Sequence, residues 1–304
     1  MIAAPPRRRV LLGVLAMAAT VALWASFALT MRGIGASSLT MVDASLLRFG
    51  VPALLLLPML GRLRDGIRRE PRAVLALLVV GGLPHFLVSA LGAQLTSAAL
   101  VGILLPGTAP LFAAIILLAW RGERPGRGRA VALATIGVGA ACTAALTGSA
   151  AAGAGVLVLL VGGALWAIYT LGLRGTRLDM PSVVLVLSLP SVLVALALGV
   201  TGALPSNLLR GEAALHDIVL FGALQGIGTG IVSTVAYATA VRLLGGTAAT
   251  WGALSPVVTT LVAIPVFGEA ITPATVAALA LVVGGVVAYS LLGRRSEDGG
   301  TVRP

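Results

Sequence analysis

No lysine occurs in this 304-residue sequence; its 21 basic residues are all arginines. Without lysine there is no Gly-x-x-x-x-Gly-Lys-[Ser/Thr] phosphate loop, and no Schiff base to retinal or pyridoxal phosphate can form. Cysteine occurs once, at Cys142. It has no second thiol to pair with, and within its apolar run it reads as a small buried hydrophobe. Two histidines, His85 and His216, are too few for a metal site of their own. Charged residues make up only 10% of the chain, against about a quarter in ordinary soluble domains. A water-soluble globule of this length could not cover its surface with so few charges, so a soluble enzyme and a nucleic-acid-binding module are both excluded. No catalytic residue, metal ligand or cofactor is expected.

What is present is apolar: 58% hydrophobic residues and a mean hydropathy of +1.06. A helix needs about 20 mostly apolar residues to span the hydrocarbon layer, and uncharged runs of that size mark an integral membrane protein in a lipid bilayer. Residues 10–31 form one run. Residues 73–120 hold two helices with a turn near Gln94–Ser97, and 130–173 hold two more with a small-residue break at Gly148–Gly155. Single crossings follow at 180–209, 218–241, 243–268 and 270–293. A further span at about 40–60 carries Asp43 and Arg48, and counting it gives ten. With the N-terminus in the cytoplasm, alternate loops collect nearly all the arginines, leaving only Arg32 and Arg210 outside and Arg48 within a span. That asymmetry puts both termini on the cytoplasmic side of a multi-pass protein of the inner membrane. The first run is read as a crossing rather than a removed leader, because the alternation needs it.

The chain also repeats itself. Pro110 is followed 13 residues later by Glu123, and Pro256 is followed 13 residues later by Glu269. Both members of each pair are offset by 146, as are Gly122 and Gly268, Ala132 and Ala278, and Gly139 and Gly285. Five helices per half is an odd number, so the second copy enters the membrane reversed. The expected fold is all-α: ten transmembrane helices in two inverted five-helix repeats. The expected divisions are a tail over 1–9, repeats over 10–148 and 149–293, and a tail over 294–304. Inverted repeats of this kind let a bundle open alternately to either side of a midplane site.

Polar groups at hydrocarbon depth are costly and are therefore candidates for function. Arg48 and Asp43 are five positions apart and do not share a helix face, so Arg48 needs another partner, in a structural or gating role or against substrate. Gln225, Thr229, Ser233 and Tyr237 recur every four residues along one face, either lining a cavity or bonding between helices. Beside them Gly222, Gly226 and Gly230 read as packing positions. Trp166 and Tyr169 lie near mid-membrane, as a pocket wall or as packing, with Trp24 and His85 similarly placed. His85 either relays a coupling proton or is a structural imidazole. Glu123 and Glu269 sit at helix ends, where capping and ion pairing compete with proton coupling.

In order along the chain, Trp24, Arg48-Phe49, Thr96-Ser97-Ala98-Ala99, Pro110…Gly122-Glu123, Trp166-Ala167-Ile168-Tyr169, Ala236-Tyr237 and Pro256…Gly268-Glu269 resemble the EamA-type transporters of the drug/metabolite transporter superfamily. The resemblance covers nearly the whole chain. It implies export or uptake of small metabolites (amino acids, their derivatives or similar amphipathic compounds) through a central cavity, and the expectation is a secondary transporter, an exporter rather than an enzyme, with import left open. Substrate contacts are then expected at Trp24, His85, Trp166, Tyr169, Gln225, Thr229 and Tyr237, and structural or gating roles at Arg48, Pro110, Glu123, Pro256 and Glu269. A membrane-embedded enzyme would need a cluster of His or carboxylates near one interface, and a non-transporting membrane subunit would not need an inverted repeat. The sequence leaves the cargo, the coupling ion and the oligomeric state open.

Overall fold

The computed structural model describes residues 7–244 and 251–298, and among these there is no strand. The helices are α1 (Arg7–Gly33), α2 (Met41–Leu56), α3 (Leu60–Arg69), α4 (Arg72–Val80), α5 (Leu83–Leu95), α6 (Ala98–Arg121), α7 (Arg127–Leu146), α8 (Ala150–Gly175), α9 (Met180–Val200) and α10 (Asn207–Arg210). They continue as α11 (Leu215–Leu244), α12 (Ser255–Phe267) and α13 (Pro273–Leu292). Nine helical stretches among the described residues are long and apolar enough to cross a membrane, and α12 is a shorter apolar helix. The expected ninth crossing, 243–268, includes residues 245–250, which lie outside the described residues, as do 1–6 and 299–304 of the expected tails.

Local chemistry sets the boundaries. Thr40 and Asp43 form a capping box at the start of α2, and Ser97, Ser149 and Asp179 accept backbone N–H groups at the starts of α6, α8 and α9, satisfying donors that have no partner within the helix. Gly81-Gly82 separates α4 from α5, and Ser191 Oγ of α9 accepts the freed Leu83 N–H at 2.9 Å. The two Gly-Glu corners end their helices alike. Gly122 and Gly268 are both left-handed, with φ of 67° and 66°, and their N–H groups reach Leu118 O at 3.0 Å and Ile264 O at 2.9 Å. Glycine adopts this conformation without a Cβ penalty.

Several boundaries differ from the sequence reading. The expected 180–209 crossing ends at Val200, and Asn207–Arg210 is a separate short helix. Gly153 and Gly155, expected in the break, lie within α8; the turn is at 147–149. Helix begins at Arg7, inside the expected first tail, and the last helix runs on to Asp298. The span at 40–60 runs on through a 3₁₀ turn into α3, whose arginines had been read as loop charge.

The core joins the halves: Met31, Phe49, Phe86, Ile103, Leu104, Ile136 and Leu159 are buried in one cluster with Ala278 and Val282. Outside it a belt of large apolar side chains faces outward, among them Leu54, Val131, Val200 and Leu215, as expected of a surface solvated by lipid. Helices α7 and α13 pack without intervening side chains. A β-carbon on Gly139 would lie 2.7 Å from Leu281 Cβ and 2.9 Å from Val282 Cγ2, and one on Gly285 would lie 2.7 Å from Ile136 Cγ1. Gly128 meets Leu292 in the same way, at 3.2 Å. Residue numbers rise on α7 as they fall on α13, so the two helices run antiparallel.

Candidate functional site

Five helices converge on a cluster of rings. From α1, Phe27 stacks on His85 of α5, with centroids 6.0 Å apart. His85 meets Trp166 of α8 at 5.2 Å, and Trp166 meets Tyr169 at 5.1 Å. One turn before Phe27, Trp24 packs against Tyr237 of α11 at 5.2 Å. On the other side, Phe86 lies edge-on to both Phe27 and Phe49. Trp24, Phe27, Trp166, Tyr169 and Tyr237 are half-buried, whereas His85, Phe49 and Phe86 are buried. Gly81 leaves the space that Tyr169 fills, since a β-carbon there would collide with its ring.

Arg48 of α2 sits among these rings. Its guanidinium lies 5.8 Å from the Phe27 centroid and 5.9 Å from that of Phe49, close enough for cation–π attraction. Nη1 donates to the backbone carbonyl of Gln225 at 2.9 Å. This is the other partner that the sequence demanded, and it clasps α2 to α11. Asp43 is engaged elsewhere, accepting the Thr40 N–H at 2.9 Å and the Asn207 N–H at 3.0 Å.

Arg48 grips α11 where that helix widens. Residues Gly222–Val232 form a π-helical stretch, so the Thr229 hydroxyl donates to Leu224 O, five residues back, at 2.7 Å. Such bulges occur frequently at functional sites. The polar face expected along α11 is thereby divided. Gln225 is fully buried and its Nε2 donates to Thr30 Oγ1 and, at 3.5 Å, to Phe27 O of α1. Its Oε1 is buried without a hydrogen bond. Thr229 and Ser233 bond within their own helix, and only Tyr237 meets a ring, that of Trp24. Among the glycines beside them, Gly226 and Gly230 pack against Val51 and Pro52 of α2, but Gly222 faces open space. The packing role expected of Gly222 is therefore corrected.

The two glutamates have different surroundings. Glu269 lies past the end of α12 and accepts the backbone N–H groups of Ala98 at 2.8 Å and Ala99 at 3.3 Å. It thus caps α6, with Arg32 Nε 3.8 Å away; a carboxylate at a helix N-terminus is favoured by the helix dipole. Glu123 sits at the other end of α6, exposed, 3.6 Å from Arg121. At about 1.5 Å per residue, α6 holds the two carboxylates apart by most of a membrane thickness. Pro110 lies inside α6 and Pro256 in the first turn of α12.

Of the residues expected to contact substrate, the structure brings His85, Trp166 and Tyr169 into one chain of rings and pairs Trp24 with Tyr237, whereas Gln225 and Thr229 bond to helix partners. The sequence reading missed Phe27, the ring that joins His85 to Phe86, together with Phe49, Phe86 and Thr30. Phenylalanine in an apolar helix carries no signal of its own; only its position three residues after Trp24 could have pointed to it.

With this geometry in place, comparison with known proteins is informative. Residues 11–145 match the model of the EamA-like transporter family. That family belongs to the drug/metabolite transporter superfamily of membrane transporters, and the match together with the long apolar helices supports a multi-pass membrane protein. No curated protein matches it. A solved protein crystal structure is similar with a TM-score of 0.59 at 19% identity, covering 93% of this chain and 97% of its own. That likeness is one of fold and covers almost the whole chain.

Proposed function

We propose that this EamA-like protein is a secondary transporter that exports small metabolites by alternating access, with the ring cluster as its substrate site. The observation that carries the reading is that one cluster draws on helices from both ends of the sequence: α1, α2 and α5 on one side, α8 and α11 on the other. A site built at such a junction changes its exposure when the halves rock against each other.

The contact of α7 with α13 supports the two-repeat arrangement. Adding 146 to Gly139 and Ile136 gives Gly285 and Val282, so the Gly139–Val282 contact and the Gly285–Ile136 contact are exchanged copies of each other. Reciprocal contact of this kind is what a two-fold axis produces. Because the two helices are antiparallel, that axis lies in the membrane plane. Ten crossings follow if the stretch ending in α12 also spans the bilayer, giving repeats over 10–148 and 149–293 with both termini in the cytoplasm.

Within the site, Trp24, Trp166, Tyr169 and Tyr237 form walls for a planar or apolar body, with Gln225 and Thr229 behind them and His85 placed to relay a coupling proton. Arg48 ties α2 to the π-helical stretch and serves as a structural or gating element, as do Pro110, Glu123, Pro256 and Glu269 at helix bends and ends. The test is flux. In liposomes loaded with labelled amino acids and their derivatives, wild-type protein is expected to move at least one compound, and Trp166→Ala to slow it by tenfold or more without loss of folded protein. Trp120→Ala, at an exposed helix end, is expected to leave flux unchanged. Absence of flux for every compound with folded protein overturns the reading.

A further inference from the structure

We propose that the arginine-rich end of the protein carries a built site for an anionic phospholipid, between α3, α4 and α9. A groove of about 290 Å³ lies there, floored by Ile67, Leu75, Val79, Leu185, Val186 and Leu189, with Arg64 and Arg68 on its rim. Arg64 and Arg68 are four residues apart on α3 and share one face. Both are exposed, and neither makes an ion pair with another described residue. Asp65, the one acid on α3, pairs with neither.

The surroundings fix the kind of occupant. Immediately before α3, Leu54, Leu55 and Leu57 are 71%, 58% and 46% exposed, so the chain enters α3 from the lipid-facing surface and the groove opens at the edge of the bilayer. A soluble anion would be satisfied by the arginines but would leave the apolar floor uncovered. A neutral lipid would cover the floor but leave two unpaired guanidinium groups. An anionic phospholipid matches both: its phosphate sits across Arg64 and Arg68 by charge-assisted hydrogen bonds, and one acyl chain lies along Ile67, Val79 and Leu189. Basic pockets between membrane helices recognise anionic head groups in this way. The groove floor shares a hydrophobic cluster with Tyr169, but no ring of the cluster lines the groove itself, and the proposal does not depend on what is transported.

The test is native mass spectrometry of the full-length, delipidated protein in detergent, with lipid added back. Phosphatidylglycerol is expected to give retained adducts at concentrations where phosphatidylcholine of the same chains does not. Arg64→Gln with Arg68→Gln is expected to lower phosphatidylglycerol occupancy by roughly tenfold or more, since each arginine near a charged membrane surface contributes about fivefold. Arg121→Gln with Arg124→Gln, outside the groove, is expected to leave it unchanged. If the double variant does not fold, each single variant is expected to show a smaller loss in the same direction. Glycerol 3-phosphate and inorganic phosphate are expected not to bind. Equal retention of phosphatidylcholine, equal loss in the Arg121/Arg124 variant, or comparable binding of the free phosphates overturns the proposal.

Discussion

The two ends of the helix bundle are held together in different ways. At the end that carries Arg32, Glu269 and Arg210, side chains far apart in sequence bond across elements. Asp217 accepts the Ser38 N–H and hydroxyl at 2.8 and 2.7 Å, and Asn207 Nδ2 donates to Ser38 O at 2.7 Å. Asp43 takes up Ser206 and Asn207. Gln94 reaches Met31 O at 2.8 Å, and Glu269 caps α6. At the opposite end, which carries Glu123 and most of the arginines, the described residues offer much less. Glu70 accepts the Arg177 N–H at 3.3 Å while its other oxygen is buried without a partner, and Glu123 is paired only with Arg121 on its own corner. Sparse acids explain the contrast. With ten carboxylates in the chain, the described ones that join distant elements are concentrated at one end, and at the other end arginines far outnumber the acids. On the proposed mechanism, the laced end is the closed gate in this conformation.

The contrast can be broken by removing its strongest elements. Asp43→Ala removes the cap of α2 and strands Ser206 and Asn207, and it is expected to cost about 2–4 kcal/mol, combining a lost cap with hydrogen bonds to a charged acceptor. Thermal unfolding in detergent measures this. Glu269→Gln keeps the shape but weakens the cap on Ala98 and Ala99, and about 1–3 kcal/mol is expected by the same assay. At the other end, Glu123→Gln is expected to change stability by no more than about 0.5 kcal/mol, because exposed ion pairs contribute little. Equal losses for Glu123→Gln and Glu269→Gln would erase the distinction. Hydrogen exchange sharpens it without mutation: amides at 38–44 and 98–100 are expected to exchange more slowly than those at 122–129 and 176–179.

Much of this architecture is legible in the sequence. Charge-free runs give most of the helices, because hydrocarbon tolerates few charges, and the Gly-Glu corners stand out because glycine at a left-handed helix end and the acid after it are demanded by local backbone chemistry. The mid-depth Trp, Tyr and His residues announce a site because they are out of place in lipid. Four features could not be read. The π-helical stretch of α11 depends on packing against α1 and α2, and no residue type marks it. Phe27 looks like any other apolar residue. The arginines of α3 look like loop charge, since the pattern that orients a membrane protein also hides an amphipathic helix lying at its surface. Pairing of Glu269 with the start of α6 joins residues 171 apart, a distance over which spacing carries no information.

Accessibility of the two Gly-Glu corners tests the central claim most directly. In a Cys142→Ala background, Arg124→Cys and Ala270→Cys each place one thiol at an exposed position beside a corner. A membrane-impermeant maleimide added to intact cells is expected to label Ala270→Cys and to reach Arg124→Cys only after the membrane is opened. Labelling of both from the same side would contradict an inverted pair of repeats and the alternating-access transporter built on it.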